Sequence, residues 1–208
     1  DLDGEIVNLF RMLRDQGSEL ERMLRLTPFA KEEFKGAYDP TEDPLERARR
    51  TVVKSLMGFG SDGIRNNTGF RNYAGKNRYT IPAHDWANYV ESIGFIRERL
   101  RGVVIEHSPA VEILEKQDGP KTLHYVDPPY LQSTRTNKGV HRYNFEMTEQ
   151  EHRELATVLN KLKGKVVLSG YENLLYGELY PGWVKVKRPA RADGALARTE
   201  VLWMNFTI

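Results

Sequence analysis

The strongest constraint on the fold lies in the second half of the chain, where apolar stretches of strand length alternate with segments of helical periodicity. Val103-Val104-Ile105 reads as a short buried strand, Ala110 to Lys116 as a short helix, and Leu123-His124-Tyr125-Val126 as a second strand leading straight into Asp127. A loop spans Leu131 to Met147. Thr148 then offers an N-cap, with Glu151 at the spacing of a capping box, ahead of the apolar stripe Leu155, Val158, Leu159 and Leu162. Gly164 closes that helix, Lys165 to Leu168 gives a third strand, and Trp183 to Lys187 with Val201 to Phe206 predict a closing antiparallel pair. Strands alternating with helices imply an α/β fold, with a mostly parallel sheet covered on both faces and an antiparallel edge.

The first half has a different texture. Ile6, Leu9, Phe10 and Leu13 recur at helical spacing after Asp3-Gly4, and Leu45, Ala48, Val52 and Leu56 mark another helix after the breaks at Pro28, Asp39-Pro40 and Asp43-Pro44. Tyr89, Ile93, Ile96 and Leu100 define a further helix that ends at Gly102. Between them, from Gly58 to Pro82, five glycines interrupt any regular period, so this stretch reads as an irregular insertion. The expected organisation is one domain formed by residues 1–30 and 103–208, interrupted by a mostly helical and irregular insertion at 31–102.

Composition narrows the function classes. With 208 residues, 39% hydrophobic and 29% charged, the chain can bury a core and is neither a disordered nor a fibrous sequence. No apolar run reaches the roughly 18 to 20 residues that cross a bilayer, which argues against a membrane role. The absence of cysteine removes disulfides, thiolate zinc sites and cysteine nucleophiles, and suits a reducing cytoplasm. His124, His141 and His152 show no metal-ligand spacing with acids, so no metal is expected. A net charge of +2 says little about partners, which leaves the question to how the charge is distributed.

The chemistry concentrates in Asp127-Pro128-Pro129-Tyr130. In an α/β sheet, ligands bind beyond the carboxyl ends of the strands, and Asp127 stands at that place. Two prolines fix φ and remove two backbone donors, so the turn is stiff and presents a carboxylate, the carbonyl of Pro128 and the ring of Tyr130. An exocyclic amine on a nucleobase calls for such a set. Its lone pair is delocalised into the ring, and two acceptors holding its two hydrogens favour the pyramidal geometry needed for attack on a methyl sulfonium. The aromatic residue replaces part of the stacking lost when the base leaves the duplex. Asp and Pro also favour plain turns, and the four residues by themselves would serve equally as the end of a strand.

Between Arg49 and Thr80 the basic residues Arg49, Arg50, Lys54, Arg65, Arg71, Lys76 and Arg78 face the single acid Asp62. Phe59, Phe70, Tyr73 and Tyr79 are interleaved with Asn66, Asn67, Asn72 and Asn77, which gives phosphate contacts, stacking surfaces and base-edge amides in one segment. We read Arg65, Phe70, Arg71, Asn72, Lys76 and Arg78 as DNA contacts; the alternative is a solvated basic loop whose aromatics plug the body of the protein. The loop from Gln132 to Phe145, with Arg135, Lys138 and Tyr143, is long enough to close over a flipped base, and equally reads as a surface loop. Lys185, Lys187, Arg188, Arg191 and Arg198 form a second basic group around the last strands.

At these residues the sequence resembles the Dam-like, D12 class of DNA adenine-N6 methyltransferases, including phage and prophage members. The similarity extends beyond the tetrapeptide to Asp1-Leu2-Asp3-Gly4-Glu5-Ile6-Val7-Asn8, Gly69-Phe70-Arg71-Asn72, Ile81-Pro82-Ala83, Lys165-Val166-Val167-Leu168-Ser169-Gly170-Tyr171 and Thr199-Glu200-Val201-Leu202-Trp203. The resemblance implies a cytoplasmic enzyme with a Rossmann-like methyltransferase sheet, S-adenosylmethionine as cofactor, double-stranded DNA as partner and a place in DNA methylation or restriction-modification. It implies that Asp1, with Asp3 close by, holds the cofactor ribose, and that Asp127 contacts both the methionine end and the target amine. Where the family has Asp-Phe beside the cofactor adenine, this chain aligns Pro109-Ala110, with Glu106, His107 and Ser108 near enough to substitute. The family's Gly-rich loop would precede Asp1, so the expected sheet is incomplete at its N-terminus. Rival readings are a DNA-binding remnant that no longer catalyses, and the same chemistry on cytosine N4 or a glutamine amide.

Overall fold

The protein is described here by a computed structural model covering residues 1–59, 67–72, 81–134, 144–191 and 197–207. It divides into two compact units, Asp1–His107 and Ser108–Ile208.

The first unit is helical. Asp3 starts α1 (Gly4–Asp15) because its carboxylate accepts from the Glu5 amide at 2.9 Å, and α2 (Gly17–Leu26) follows after Gln16. After α3 (Lys31–Gly36), Asp43 caps α4 (Pro44–Met57), whose first residue is a proline with its φ already helical. The last helix is α5 (Pro82–Arg99). The apolar stripes converge: Leu13, Leu20, Leu24, Phe34, Val52, Val53, Met57, Trp86, Val90 and Ile93 are all buried in one core. The helices expected from the spacing at 6–13, 45–56 and 89–100 are present, and α2 and α3 add to them.

Val103-Val104-Ile105 is not a strand. These residues follow α5 as irregular backbone and are 46%, 80% and 39% exposed. A strand exists through its ladder, and no described residue pairs with this segment.

The second unit opens with α6 (Ala110–Lys116) and β1 (Leu123–Val126). It continues through α7 (Glu149–Leu159), β2 (Lys165–Tyr171) and α8 (Leu174–Leu179) to β3 (Val184–Arg191) and β4 (Ala197–Met204). The capping box is formed: Glu151 donates its amide to Thr148 Oγ1 at 3.2 Å, and the Thr148 amide returns to the Glu151 carboxylate at 2.7 Å. Strand order is β1-β2-β4-β3, a mixed α/β arrangement. Among the described residues the expectation of a mostly parallel sheet is corrected, since there only β1 and β2 run parallel while β4 is antiparallel to both β2 and β3. The expected closing pair exists, and its second member inserts between the first and β2.

Alternation sorts the faces of this sheet. Val126, Val166, Leu168, Val201 and Trp203 are buried in one core with Leu155, Ala156 and Leu159 of α7 and with Tyr176 and Tyr180. The rings approach the backbone closely at Gly170, where a Cβ would lie 3.2 Å from Tyr176 and 3.4 Å from Trp203. The intervening side chains of β1, Leu123 and Tyr125, are 63% and 64% exposed, so β1 is covered on one face and not on both.

One carboxylate ties the starting ends of the parallel strands together. Asp118 accepts the amides of Lys163 at 2.8 Å and Gly164 at 2.9 Å and meets His124 Nε2 at 3.3 Å. Gly164 is needed at this corner, because a Cβ would sit 2.8 Å from the Thr122 carbonyl. The backbone bond from Lys163 leads the interactions that hold the Asp118 carboxyl below its usual value of 3.8. A depressed folded-state value gives stability that is complete above 3.8 and is lost as pH falls through the lower folded value. Asp118→Ala should therefore melt below the parent protein at neutral pH, with the gap narrowing in acid; denaturant midpoints between about pH 3 and 6 test this.

Candidate active site

Asp127 leaves the end of β1 with its side chain exposed, while the next residue, Pro128, is buried and Leu131 reaches the core at 7% exposure. The corner is thus anchored from beneath. Among the described residues the Pro128 carbonyl accepts no backbone amide, as expected where a second proline removes the nearest donor. Leu131 ends the turn, its carbonyl accepting the Thr134 amide at 2.9 Å.

The carboxylate of Asp127 is fixed by a group that sequence reasoning did not single out. Ser169, on β2, donates its hydroxyl to Asp127 Oδ1 at 2.7 Å. Asp127 has no other hydrogen-bond partner among the described residues. Tyr130, half-buried, packs edge-to-face on Tyr171 with ring centroids 4.7 Å apart. Burial pushes the Tyr130 phenol up to about 12, opposed by the nearby Ser169 hydroxyl and helped by the charges of Asp127 and Glu200. At neutral pH it is an un-ionised hydroxyl. The signal that could have found Ser169 is register: once Val126 is paired with Leu168, Asp127 and Ser169 follow as neighbours.

In the first unit the chain brings four of the predicted residues together. The Asp1 backbone nitrogen donates to the Glu106 carbonyl at 2.9 Å, and His107 Nε2 lies 3.2 Å from the Leu2 carbonyl. Asp1 Oδ1 accepts the Asp3 amide at 2.8 Å, and Asp3 in turn caps α1. Ser108 opens the second unit.

Of the residues read as DNA contacts, Phe70, Arg71 and Asn72 are described. Phe70 forms an isolated bridge with Gly58 and packs its ring 5.1 Å from Phe29 and 6.0 Å from Phe34, so its ring is committed to the core. Arg71 pairs with Asp85 at 2.6 Å, and Asn72 is exposed. Arg65, Lys76, Arg78, Arg135, Lys138 and Tyr143 lie outside the described residues. The local charge excess is partly answered from elsewhere in the sequence: Arg49 is bonded to Glu46 and Glu33, and Arg50 to Glu46. Lys54 remains half-buried, its ammonium 5.7 Å from the centre of the Tyr38 ring, and burial lowers its pKa. Lys187 of the second basic group is paired with Glu172.

His152, inside α7, is fully buried with Nδ1 3.0 Å from the Tyr176 hydroxyl, a packing role. Among the described residues no group of His, Asp and Glu is arranged to hold a metal, and no helix is long and apolar enough to cross a membrane.

A family model described as D12 class N6 adenine-specific DNA methyltransferase matches residues 10–191, well over half of the chain. No curated protein matches it.

Proposed function

The chain belongs to the D12 class of N6 adenine-specific DNA methyltransferases, and from that premise we propose that the Asp127–Tyr130 corner methylates adenine in double-stranded DNA by direct transfer to a flipped base. The observation that carries this is the exposed Asp127 carboxylate at the end of β1, one oxygen anchored by Ser169, beside a Pro128 carbonyl without a backbone partner among the described residues. Those two acceptors take the two hydrogens of N6. Holding both hydrogens turns the nitrogen lone pair out of conjugation and toward the incoming methyl group. The proton released from N6 as the new N–C bond forms leaves along the hydrogen bond to Asp127. Tyr130 keeps its own proton and contributes a ring face to the extruded base.

S-adenosylmethionine, bound on a Rossmann-like sheet, supplies a methyl group carried on sulfonium. The side chains suit its donors: a ribose diol and an ammonium call for acceptors, and Asp1 and Asp127 each offer a carboxylate with one oxygen already held. We assign Asp1 and Asp3 to the ribose, Glu106, His107 and Ser108 to the adenine end, and Asp127 to the methionine end. Residues 1–30 and 103–208 form the catalytic part and 31–102 the part that reads DNA. In the latter, Arg71, Asn72, Arg65, Lys76 and Arg78 meet the duplex and Phe70 roots the segment in the core. Arg135, Lys138 and Tyr143 are assigned to DNA contact with them.

The test is product identity. Incubation of the chain with duplex DNA and S-adenosylmethionine, followed by mass spectrometry of the nucleosides, should yield N6-methyldeoxyadenosine. N4-methyldeoxycytidine would overturn the acceptor. Salt-sensitive DNA binding with no calorimetric binding of S-adenosylmethionine would instead mark a DNA-binding remnant.

A further inference from the structure

The parallel ladder of β1 and β2 ends at the pair Val126 and Leu168, which leaves Asp127 and Ser169 side by side at the rim of the sheet. Ser169 is 5% exposed, with its hydroxyl 2.7 Å from Asp127 Oδ1 and 3.5 Å from the Val126 carbonyl. A serine hydroxyl has one proton to give. The shorter contact, to a charged acceptor, takes it. Ser169 is therefore a donor committed to Asp127.

We propose that Ser169 is a positioning residue for methyl transfer: it occupies Oδ1 of Asp127, so that the carboxylate is turned with Oδ2 toward the target amine. This rests on the reading of Asp127 as the group that holds the amine. The physical need is plain, because the last torsion of an aspartate is broad and an untethered carboxylate samples a wide arc. Ser169 removes that freedom from inside the sheet, on a strand rather than a loop.

The experiment compares the parent chain with Ser169→Ala, Ser169→Thr and Asp127→Ala, measuring kcat, KM for DNA and for S-adenosylmethionine, and thermal stability. Loss of orientation in Ser169→Ala should lower kcat by about 10- to 100-fold, with both KM values and the melting temperature nearly unchanged. Ser169→Thr, which keeps the hydroxyl, should recover most of the rate. Unchanged kcat in Ser169→Ala, where Asp127→Ala has lost turnover, would overturn the positioning role. So would a loss confined to KM, or one that follows melting temperature equally in the alanine and threonine variants. Full turnover in Asp127→Ala would instead bring down the reading of the corner itself.

Discussion

Asp127→Ala is expected to lower kcat for methyl transfer by about 10²- to 10³-fold, the cost typical of removing one preorganised group that acts on developing charge. The loss should fall on the chemical step. Asp127 is exposed and its hydrogen bond runs to one serine, so its removal leaves the core intact and should move stability by about 0.5 kcal/mol or less. DNA binding should persist in a mobility-shift assay. Asp127→Asn should be milder than alanine. A serine hydroxyl both donates and accepts, so Ser169 can take a hydrogen from the asparagine nitrogen and leave the amide oxygen facing outward in the place of Oδ2. Transfer of radiolabelled methyl to duplex DNA gives the ranking, and an alanine variant as fast as the parent would remove Asp127 from the mechanism.

Trp203→Ala should cost about 3–5 kcal/mol, the usual range for deleting a buried tryptophan or phenylalanine. Small domains hold only about 5–15 kcal/mol in all, so this variant should be near or past the limit of folding. Trp203 is 1% exposed, its ring 5.0 Å from that of Tyr176, and it stands opposite Leu168 in the ladder that joins the parallel and antiparallel parts of the sheet. Its indole nitrogen is buried with no hydrogen-bond partner among the described residues. Trp203→Phe keeps much of the ring packing and removes that unpaired donor, so it should lose far less than the alanine variant. Guanidinium denaturation of the two variants provides the comparison, and equal losses would mean that ring packing is not what Trp203 contributes.

The elements most legible in the sequence were those whose signal is local. Thr148 and Glu151 define their capping box by spacing alone, and Leu123–Val126 is bounded by turn residues on both sides. What was lost depends on partners far along the chain. Val103-Val104-Ile105 has the composition of a strand but no ladder among the described residues, and the position of β4 between β2 and β3 is a matter of topology that alternation cannot report. The candidate site divides in the same way. Asp127, Pro128, Pro129 and Tyr130 are contiguous and could be read, whereas Ser169 lies on another strand and is brought to Asp127 by register. Charge behaved likewise: Arg49 looks unopposed within its own segment, yet Glu33 and Glu46 come to it from outside that window.

The parallel pair β1 and β2 is pinned at both ends, by Asp118 on the amides of Lys163 and Gly164 and by Ser169 on Asp127. With only four residues of ladder between these pins, the strands behave as a ruler fastened at zero and at full scale. Sliding one strand along the other would unfasten both ends at once, so the span between the buried serine and the proline corner is set by backbone geometry, and side chains that decorate the surface can change without retuning it.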